Sequence, residues 1–375
     1  MGKSNKNQKQ LKKATKKLVA SKYRIVICLV LLCAVLTSLF FATKIEHLLK
    51  LTPDLSVVEE DALEVHFVSV GQGDCVLVRF PNEKTMIIDA GPPKGKDDMI
   101  NYIDNVFFAE SEKVFDYAVL THSDSDHSGN MQYIIENYKI NNFYRPRAYA
   151  TGVEPRSTGG ISITTQTYKG VIKALYEADI QNIYFNDQEN LYINDEDGNR
   201  LVTWYAHDTS GVDDNNEYSP IMVLSSYDKH ICVTGDAGKE IELEVIDKYN
   251  MPDVDVLKLG HHGSYTSTDY TFLETITPEY AVVCVGQNSY GHPHEDTLNT
   301  LIEYDTNYNK STYSNLMTTK DDGNIICYAN DNESIEFTFV EDVNDYVFIE
   351  YWWIVVGVSV VLITIMIIPK KRKSS

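Results

Sequence analysis

The chain of 375 residues is 43% apolar and 23% charged, and its 33 basic against 54 acidic residues give a formal net charge of −21. That apolar fraction suits a globular protein with one large domain or two small ones. The acidity speaks against general binding to polyanions such as DNA or teichoic acid, although a local cation-loaded site is compatible with it.

In chain order, the first element is residues 25–43, IVICLVLLCAVLTSLFFAT, uncharged between Arg24 and Lys44. A second uncharged run, residues 351–369, YWWIVVGVSVVLITIMIIP, lies between Glu350 and Lys370. Each can cross roughly 30 Å of hydrocarbon as a helix; the alternative is a buried core helix. A basic leader precedes the first run, but no small-x-small cleavage site follows it, so it reads as an uncleaved anchor. Trp352 and Trp353 resemble an interfacial aromatic belt. The first 50 residues hold 11 Lys and Arg against one Glu, and the tail KKRKSS adds four more basic residues. Both ends are therefore expected in the cytoplasm of a cell (plasma) membrane protein, with everything between the spans outside. That outer part keeps 18 basic and 53 acidic residues, a net charge of about −35.

Six cysteines occur. Cys28 and Cys33 lie in the first span, while Cys75, Cys232, Cys284 and Cys327 sit singly in apolar runs, as buried thiols do.

From about residue 62 the chain alternates strand-like and helix-like stretches. LEVHFVSVG (63–71), DCVLVRF (74–80) and KTMIIDAG (84–91) read as a strand meander, with GQG and PNE as turns. Helical spacing over 96–110 leads to the buried strand VFDYAVLTH (114–122), and SGNMQYIIENY (128–138) restarts a helix with Ser128 as N-cap. Residues 145–170, rich in Gly, Ser and Thr, read as an irregular loop over a site, and RPRAYATGVEPR there offers Arg145, Arg147 and Arg156. Strands RLVTWYAH (200–207), PIMVLSSYD (220–228) and HICVTGD (230–236) precede a helix over 238–249. Then come strand VDVLKLGHHGS (254–264), a short helix near 268–276, strand EYAVVCVGQ (279–287), a helix over 295–304, and closing strands to about 340. Two sheet-rich halves flanked by helices predict an α+β protein, a four-layer αββα sandwich.

The polar residues competent to bind metal follow apolar strands. His122, Asp124, Asp126 and His127 follow YAVL; Asp236 follows ICVTG; His261 and His262 follow VDVLKLG; His292 and His294 follow YAVVCVGQNSYG. Asp89 follows TMII and His207 follows VTWYA. Gathering carboxylates and imidazoles at strand ends is costly unless a cation neutralises them. Imidazole with carboxylate suits Zn²⁺ and similar divalent ions. A calcium loop is disfavoured, because no bidentate Glu follows DSD at the required spacing. His66 and His230 lack such company and read as ordinary strand histidines.

THSDSDH (121–127), VTGDAG (233–238), LKLGHHGS (257–264) and YGHPH (290–294) follow VSVGQGDCVLV (68–78) and MIIDAG (86–91) in that order. Together they resemble the metallo-β-lactamase fold. More narrowly they are similar to the metallohydrolase domain of the DNA-internalisation competence protein family ComEC, its stand-alone relatives, and the cell-wall phosphorylcholine esterases. The resemblance covers about residues 63–340 and implies a two-metal hydrolase that cleaves a phosphodiester of DNA or of a cell-envelope polymer. Zn²⁺ would be the usual ion, with Mn²⁺ tolerated. It implies that His122 and Asp124 hold one metal and Asp126 and His127 the second, that Asp236 bridges them, and that His262 completes the second. Asp126 also counts among the catalytic residues. His261 would be an acid or oxyanion contact. His292 is either a competing ligand or a substrate contact. Asp89 would orient a ligand histidine, and Asn216 and Ser219 match a family asparagine and serine of the catalytic set. His207 lies where other members place a third ligand of the first metal. Ser69 stands where the family often has Asp. The resulting organisation is tail 1–24, span 25–43, linker 44–62, extracellular hydrolase domain 63–340, span 351–369 and tail 370–375. Hydrolysis of a lactone, amide or thioester, or a non-catalytic surface role, are the rival readings.

Overall fold

Strand β1 (Leu63–Phe67) pairs antiparallel with β2 (Val76–Arg79), which pairs antiparallel with β3 (Thr85–Ile88), and this is the expected meander. The computed structural model describes residues 62–109, 111–185, 188–330 and 334–340. Both expected spans, both tails and residues 44–61 of the linker lie outside these residues. Among the described residues no helix is long and apolar enough to cross a membrane.

The first sheet has eight strands. Beyond β3 it continues in parallel through β4 (Val114–Val119), β5 (Lys139–Arg145) and β8 (Asn182–Tyr184). On its other side β1 pairs with β16 (Asn324–Ala329), and β16 pairs with β17 (Ile335–Val340). The second sheet has seven strands. Strands β9 (Leu191–Asn194), β10 (Arg200–Tyr205), β11 (Ile221–Ser226) and β12 (Lys229–Val233) run antiparallel. Strands β13 (Val256–Lys258), β14 (Tyr280–Val283) and β15 (Leu316–Thr318) then add in parallel.

Alternation sets the layers. Val65, Phe67, Val76 and Val78 of the first sheet share one core with Val202, Trp204, Met222, Leu224, Ile231 and Val233 of the second. The outer face of the second sheet (Ile221, Val223, Cys232, Leu257) packs on three helices. These are Lys239–Lys248 through Ile241 and Val245, Tyr270–Ile276 through Phe272 and Leu273, and Glu295–Tyr308 through Leu301. The central strands of each sheet are thus buried on both faces, which explains strands such as β2 that read as unbroken apolar runs. Behind the first sheet, Phe107, Phe108, Phe115 and Tyr138 form an aromatic cluster with ring centroids 4.8–6.5 Å apart. The α+β class is as expected. Cys75, Cys232, Cys284 and Cys327 are buried free thiols.

One stretch departs from expectation. Residues 145–170 are ordered by secondary structure rather than irregular: β6 (Ala148–Ala150) pairs with β7 (Ile161–Ile163), and a helix over Gln166–Glu177 follows. Arg145, expected beside the site, is fully buried instead.

The parallel strands matter most for function. The chain leaves β3 at Asp89, β4 at His122, β12 at Asp236, β13 at His261 and β14 at the 284–292 loop, and the carboxyl ends of parallel strands are where open α/β sheets gather ligands.

Candidate metal centre

Four histidines share one construction: Nδ1 is engaged by the surrounding protein, leaving Nε2 aimed at Asp236. For His127, Nδ1 lies 2.7 Å from Asp89 Oδ2 and Nε2 lies 3.2 Å from Asp236 Oδ1. For His262, Nδ1 donates to the Cys284 carbonyl at 2.8 Å, while Nε2 lies 3.7 Å from Asp236 Oδ2 and 3.4 Å from Asp126 Oδ2. For His122, Nδ1 meets the hydroxyls of Thr121 (3.1 Å) and Ser219 (3.2 Å), and Nε2 lies 3.9 Å from Asp236 Oδ2 and 4.0 Å from Asp124 Oδ2. For His261, Nδ1 meets Thr266 Oγ1 at 3.1 Å and Nε2 lies 3.7 Å from Asp236 Oδ2. For His122, His127 and His262, fixing Nδ1 by a partner selects the tautomer whose Nε2 lone pair is free for a metal, whereas the Thr266 hydroxyl on His261 Nδ1 can donate or accept and so does not fix that ring's tautomer.

Local backbone strain supports this placement. His261 (φ 49°, ψ 46°) and His262 (φ 54°, ψ 28°) are consecutive left-handed residues, each costing on the order of 1–3 kcal/mol. They are held by His261 N–H on the Gly235 carbonyl (3.1 Å), Ser264 N–H on the His261 carbonyl (2.9 Å) and Ser267 Oγ on the Gly260 carbonyl (2.6 Å). Asp89 is also left-handed (φ 59°) and fully buried. Its Oδ1 accepts from Thr121 N–H at 2.8 Å and its Oδ2 from Thr121 Oγ1 at 2.7 Å, so it clamps the strand end that delivers His122 as well as the His127 ring. Gly73 lets the GQGD turn press on the Asp126 carbonyl, which a Cβ there would meet at 2.3 Å.

Do these donors fit a metal? His122 Nε2, His127 Nε2, His262 Nε2 and Asp236 Oδ1 are all buried without a hydrogen-bond partner, a costly state for polar atoms in a packed interior. Ligands about 2.0–2.2 Å from one tetrahedral ion stand about 3.3–3.6 Å apart. The separations here, 3.2–4.0 Å, bracket that range. About Asp236, His127 faces Oδ1 and His122, His261 and His262 face Oδ2, with Asp124 beside His122 and Asp126 beside His262. The donor set suits divalent metal.

Charge agrees. Asp74, Asp89, Asp124, Asp126 and Asp236 meet one lysine, Lys258, here. Five carboxylates against one ammonium leave a surplus of negative charge that divalent cations would neutralise. Without a cation, protons take that place. Burial opposes charging His262, but Asp236, Asp126 and Asp74 overcome it and hold its pKa up at about 10. His127 is likewise raised against burial by Asp236 and Asp89, and Asp236 is held low against burial by His127 and His262. Burial and neighbouring His127 instead push His122 down to about 4. A metal at pH 7 must therefore displace protons from His127 and His262. Calorimetry in buffers of different ionisation enthalpy should show about two protons released per loaded centre, with affinity rising from pH 6 to 9.

Asp74 also lies close: one donor atom from each of Asp74, His127, Asp236 and His262 lies within 4.8 Å of the others. It sits behind the rings. Its Oδ1 is 3.3 Å from His262 Nδ1 and its Oδ2 is 3.9 Å from His127 Nδ1, on the side away from the Nε2 atoms, and Lys258 Nζ occupies Oδ2.

The remaining expected residues fall into three places. His292 stands beside the cluster, its ring 5.6 Å from His261 and 6.4 Å from His262, with Nδ1 buried and unpartnered. Burial and the adjacent His261 push its pKa down to about 4. Ser219 is buried behind the cluster, bonding His122 Nδ1 and accepting the Asp236 N–H at 3.1 Å. Asn215 Nδ2 donates to Asp124 Oδ1 at 2.8 Å, while Asn216 N–H donates to Asp214 Oδ1 at 3.0 Å and Asn216 Oδ1 is buried without a hydrogen-bond partner. His207 Nε2 meets the Glu217 carbonyl at 2.9 Å and lines a cavity with Trp204, Tyr205 and Tyr218. Asp74, Lys258 and Asn215 were not singled out by sequence.

Residues 68–287 match the Metallo-beta-lactamase superfamily. The chain belongs to that superfamily. Within it, the chain is similar to ComE operon protein 3 of Bacillus subtilis (strain 168), 27% identical over 253 residues, 64% of this chain and 30% of that protein. It is similar to competence protein ComA of Neisseria gonorrhoeae, 29% identical over 247 residues, 65% of this chain and 30% of that protein. This chain thus matches less than a third of the length of either relative. Among solved structures, the metallo-beta-lactamase fold protein YhfI from Bacillus subtilis aligns over 72% of this chain and 100% of its own, at 11% identity and a TM-score of 0.42.

Members of this superfamily are usually metal-dependent hydrolases, and the cluster suits divalent metal. Asp89→Asn should keep the Thr121 clamp in part but lose the carboxylate on His127. Metal affinity should fall about 10–100-fold, measured by titrating the metal-free protein with Mn²⁺ or Zn²⁺ against a competing chelator.

Proposed function

We propose that this protein is a membrane-anchored, extracellular hydrolase that uses two divalent ions, Zn²⁺ or Mn²⁺, to cleave a phosphodiester of DNA or of a cell-envelope polymer. The observation that carries the reading is Asp236, whose two carboxylate oxygens are faced by four histidine Nε2 atoms and flanked by Asp124 and Asp126. His122, Asp124 and Asp236 would hold one ion, and Asp126, His127, His262 and Asp236 the other. Bound there, the pair would activate water near neutral pH and neutralise charge on the attacking and leaving oxygens.

The chain's own groups do the rest. Asp124 in place of a third histidine brings an oxygen donor and a negative charge, which makes the first position harder and more tolerant of Mn²⁺. His261 is 26% exposed on its side chain and has Nε2 turned inward, so it can protonate a departing alkoxide or hydrogen-bond a phosphoryl oxygen. His292, neutral at pH 7, offers a second contact without adding charge. Tyr290, 71% exposed, stacks on His292 at 5.6 Å and presents a flat face to an incoming group. Arg145 and Arg147 give no basic track: the first is buried against Glu154 and the second lies over Tyr184. With an outer domain this acidic, binding rests on the metal centre rather than on backbone electrostatics. The relatives' names, a competence protein among them, support DNA as one candidate phosphodiester. The two uncharged runs and their basic flanks support the anchoring and outward orientation.

The test is direct. The full chain, purified in detergent and loaded with Zn²⁺ or Mn²⁺, is assayed on bis-p-nitrophenyl phosphate, single-stranded DNA, p-nitrophenyl phosphorylcholine and a lactone. Turnover of a phosphodiester that chelation abolishes is the expected result. Metal binding with turnover of the lactone alone, or of nothing, overturns it.

A further inference from the structure

We propose that the buried Asp74–Lys258 ion pair is a positioning device that sets the two histidines of the second metal position from behind, without itself binding metal. This rests on the two-metal reading above. Asp74 and Lys258 lie 184 residues apart in sequence, on the GQGD turn and at the end of β13, and their side chains are 2% and 0% exposed. Asp74 touches three segments that carry proposed ligands or the residues orienting them. Its N–H donates to the Asp126 carbonyl (3.2 Å), its carbonyl accepts from Gly91 N–H (2.7 Å), and its carboxylate backs both His262 Nδ1 (3.3 Å) and His127 Nδ1 (3.9 Å). Lys258 adds another: Nζ donates to the Gly235 carbonyl at 3.0 Å, next to Asp236, and that carbonyl also accepts the His261 N–H.

Two points separate this from ligation. The imidazole nitrogens facing Asp74 are the Nδ1 atoms already committed to Asp89 and to the Cys284 carbonyl, while the Nε2 atoms face Asp236. An ammonium hydrogen-bonded to Asp74 Oδ2 also repels a second cation from that oxygen. What the pair supplies is a buried carboxylate packed behind both rings, with its charge cancelled locally by Lys258. Such outer partners fix ring orientation and typically matter 10–100-fold in metal affinity.

A buried pair can also be purely structural, and a double replacement separates the two roles. Removing one partner strands a buried charge, whereas removing both charges together does not. Lys258→Met alone should melt at least about 5 °C below wild type in the metal-free full chain. Asp74→Asn/Lys258→Met should recover most of that loss yet bind two Mn²⁺ per chain, one of them roughly 10–100-fold more weakly. A double variant with wild-type affinity at both positions overturns the proposal in favour of a structural pair. One binding a single ion with the other site intact overturns it in favour of Asp74 as a ligand. If wild type binds no Mn²⁺, the two-metal reading itself fails, and the proposal with it.

Discussion

Asp236→Asn is expected to abolish most of the activity while leaving the fold in place. Asn has the shape of Asp, and the Asp236 backbone N–H keeps its bond to Ser219 Oγ at 3.1 Å, so the strand end has no reason to move. What disappears is the charge between His122, His127, His261 and His262, and with it one of the two carboxylate oxygens that face those rings. An amide offers one neutral oxygen and turns an N–H₂ toward imidazole lone pairs. Loss of roughly 4 kcal/mol of metal-dependent stabilisation corresponds to about 10³-fold in kcat/KM. Metal content should fall from two ions per chain to one or none. Hydrolysis of bis-p-nitrophenyl phosphate and elemental analysis of the same preparation read both effects. Full activity in the variant would remove Asp236 from its assigned place. Asp126→Asn should cost less, since Asp126 is 35% exposed on its side chain and faces only His262 among the ring nitrogens described above.

This prediction could be framed from sequence because the proposed ligands announce themselves. His122 to His127, Asp236 and His261–His262 each end an apolar strand, and polar residues of those types at the edge of a buried sheet have few reasons to be there other than a site. The groups that aim them did not announce themselves. Lys258 sits inside VDVLKLG and reads as a solvated strand charge, because lysine is almost never fully buried unless paired, and its partner lies in a distant turn. The Cys284 carbonyl carries no side-chain signal at all. Asn215 and Asn216 are adjacent and identical, so only the turn geometry selects the one that reaches Asp124. Ser219 was visible, but its position behind His122 depends on the left-handed Gly235 turn, where a Cβ would approach Ser219 within 3.0 Å.

The fold shows the same division. Apolar alternation reveals the strands from 63 to 91 and from 200 to 236, whereas residues 145–199 carry short elements whose stability comes from elsewhere. Composition alone makes 145–170 a loop. Its elements meet at one side chain that the sequence reading placed near the site.

That side chain is Arg145, and replacing it should be among the most destabilising single changes outside the metal centre. A guanidinium has five N–H donors, and here each has an acceptor. Nε donates to Asn182 Oδ1 (2.8 Å), one terminal nitrogen to the Ala148 carbonyl (2.9 Å) and Tyr168 Oη (2.8 Å), and the other to Glu154 Oε1 (2.5 Å) and Tyr184 Oη (3.0 Å). These acceptors lie on β6, on the turn after it, on the Gln166–Glu177 helix and on β8, so one side chain ties the ribbon and helix to the sheet edge. Arg145→Met leaves Glu154 buried without its cation and should cost about 3–5 kcal/mol, read as a shift in the urea midpoint at unchanged slope. Arg145→Lys should recover only part of this, because an ammonium has three donors and no planar fork. Arg145→Met/Glu154→Gln should be less destabilised than Arg145→Met, since it removes the stranded charge. Amide exchange should quicken over residues 148–163 in all three variants and most in Arg145→Met. Equal stability of Arg145→Met and wild type would mean that the ribbon is held by its own pairing, β6 against β7, and not by the arginine.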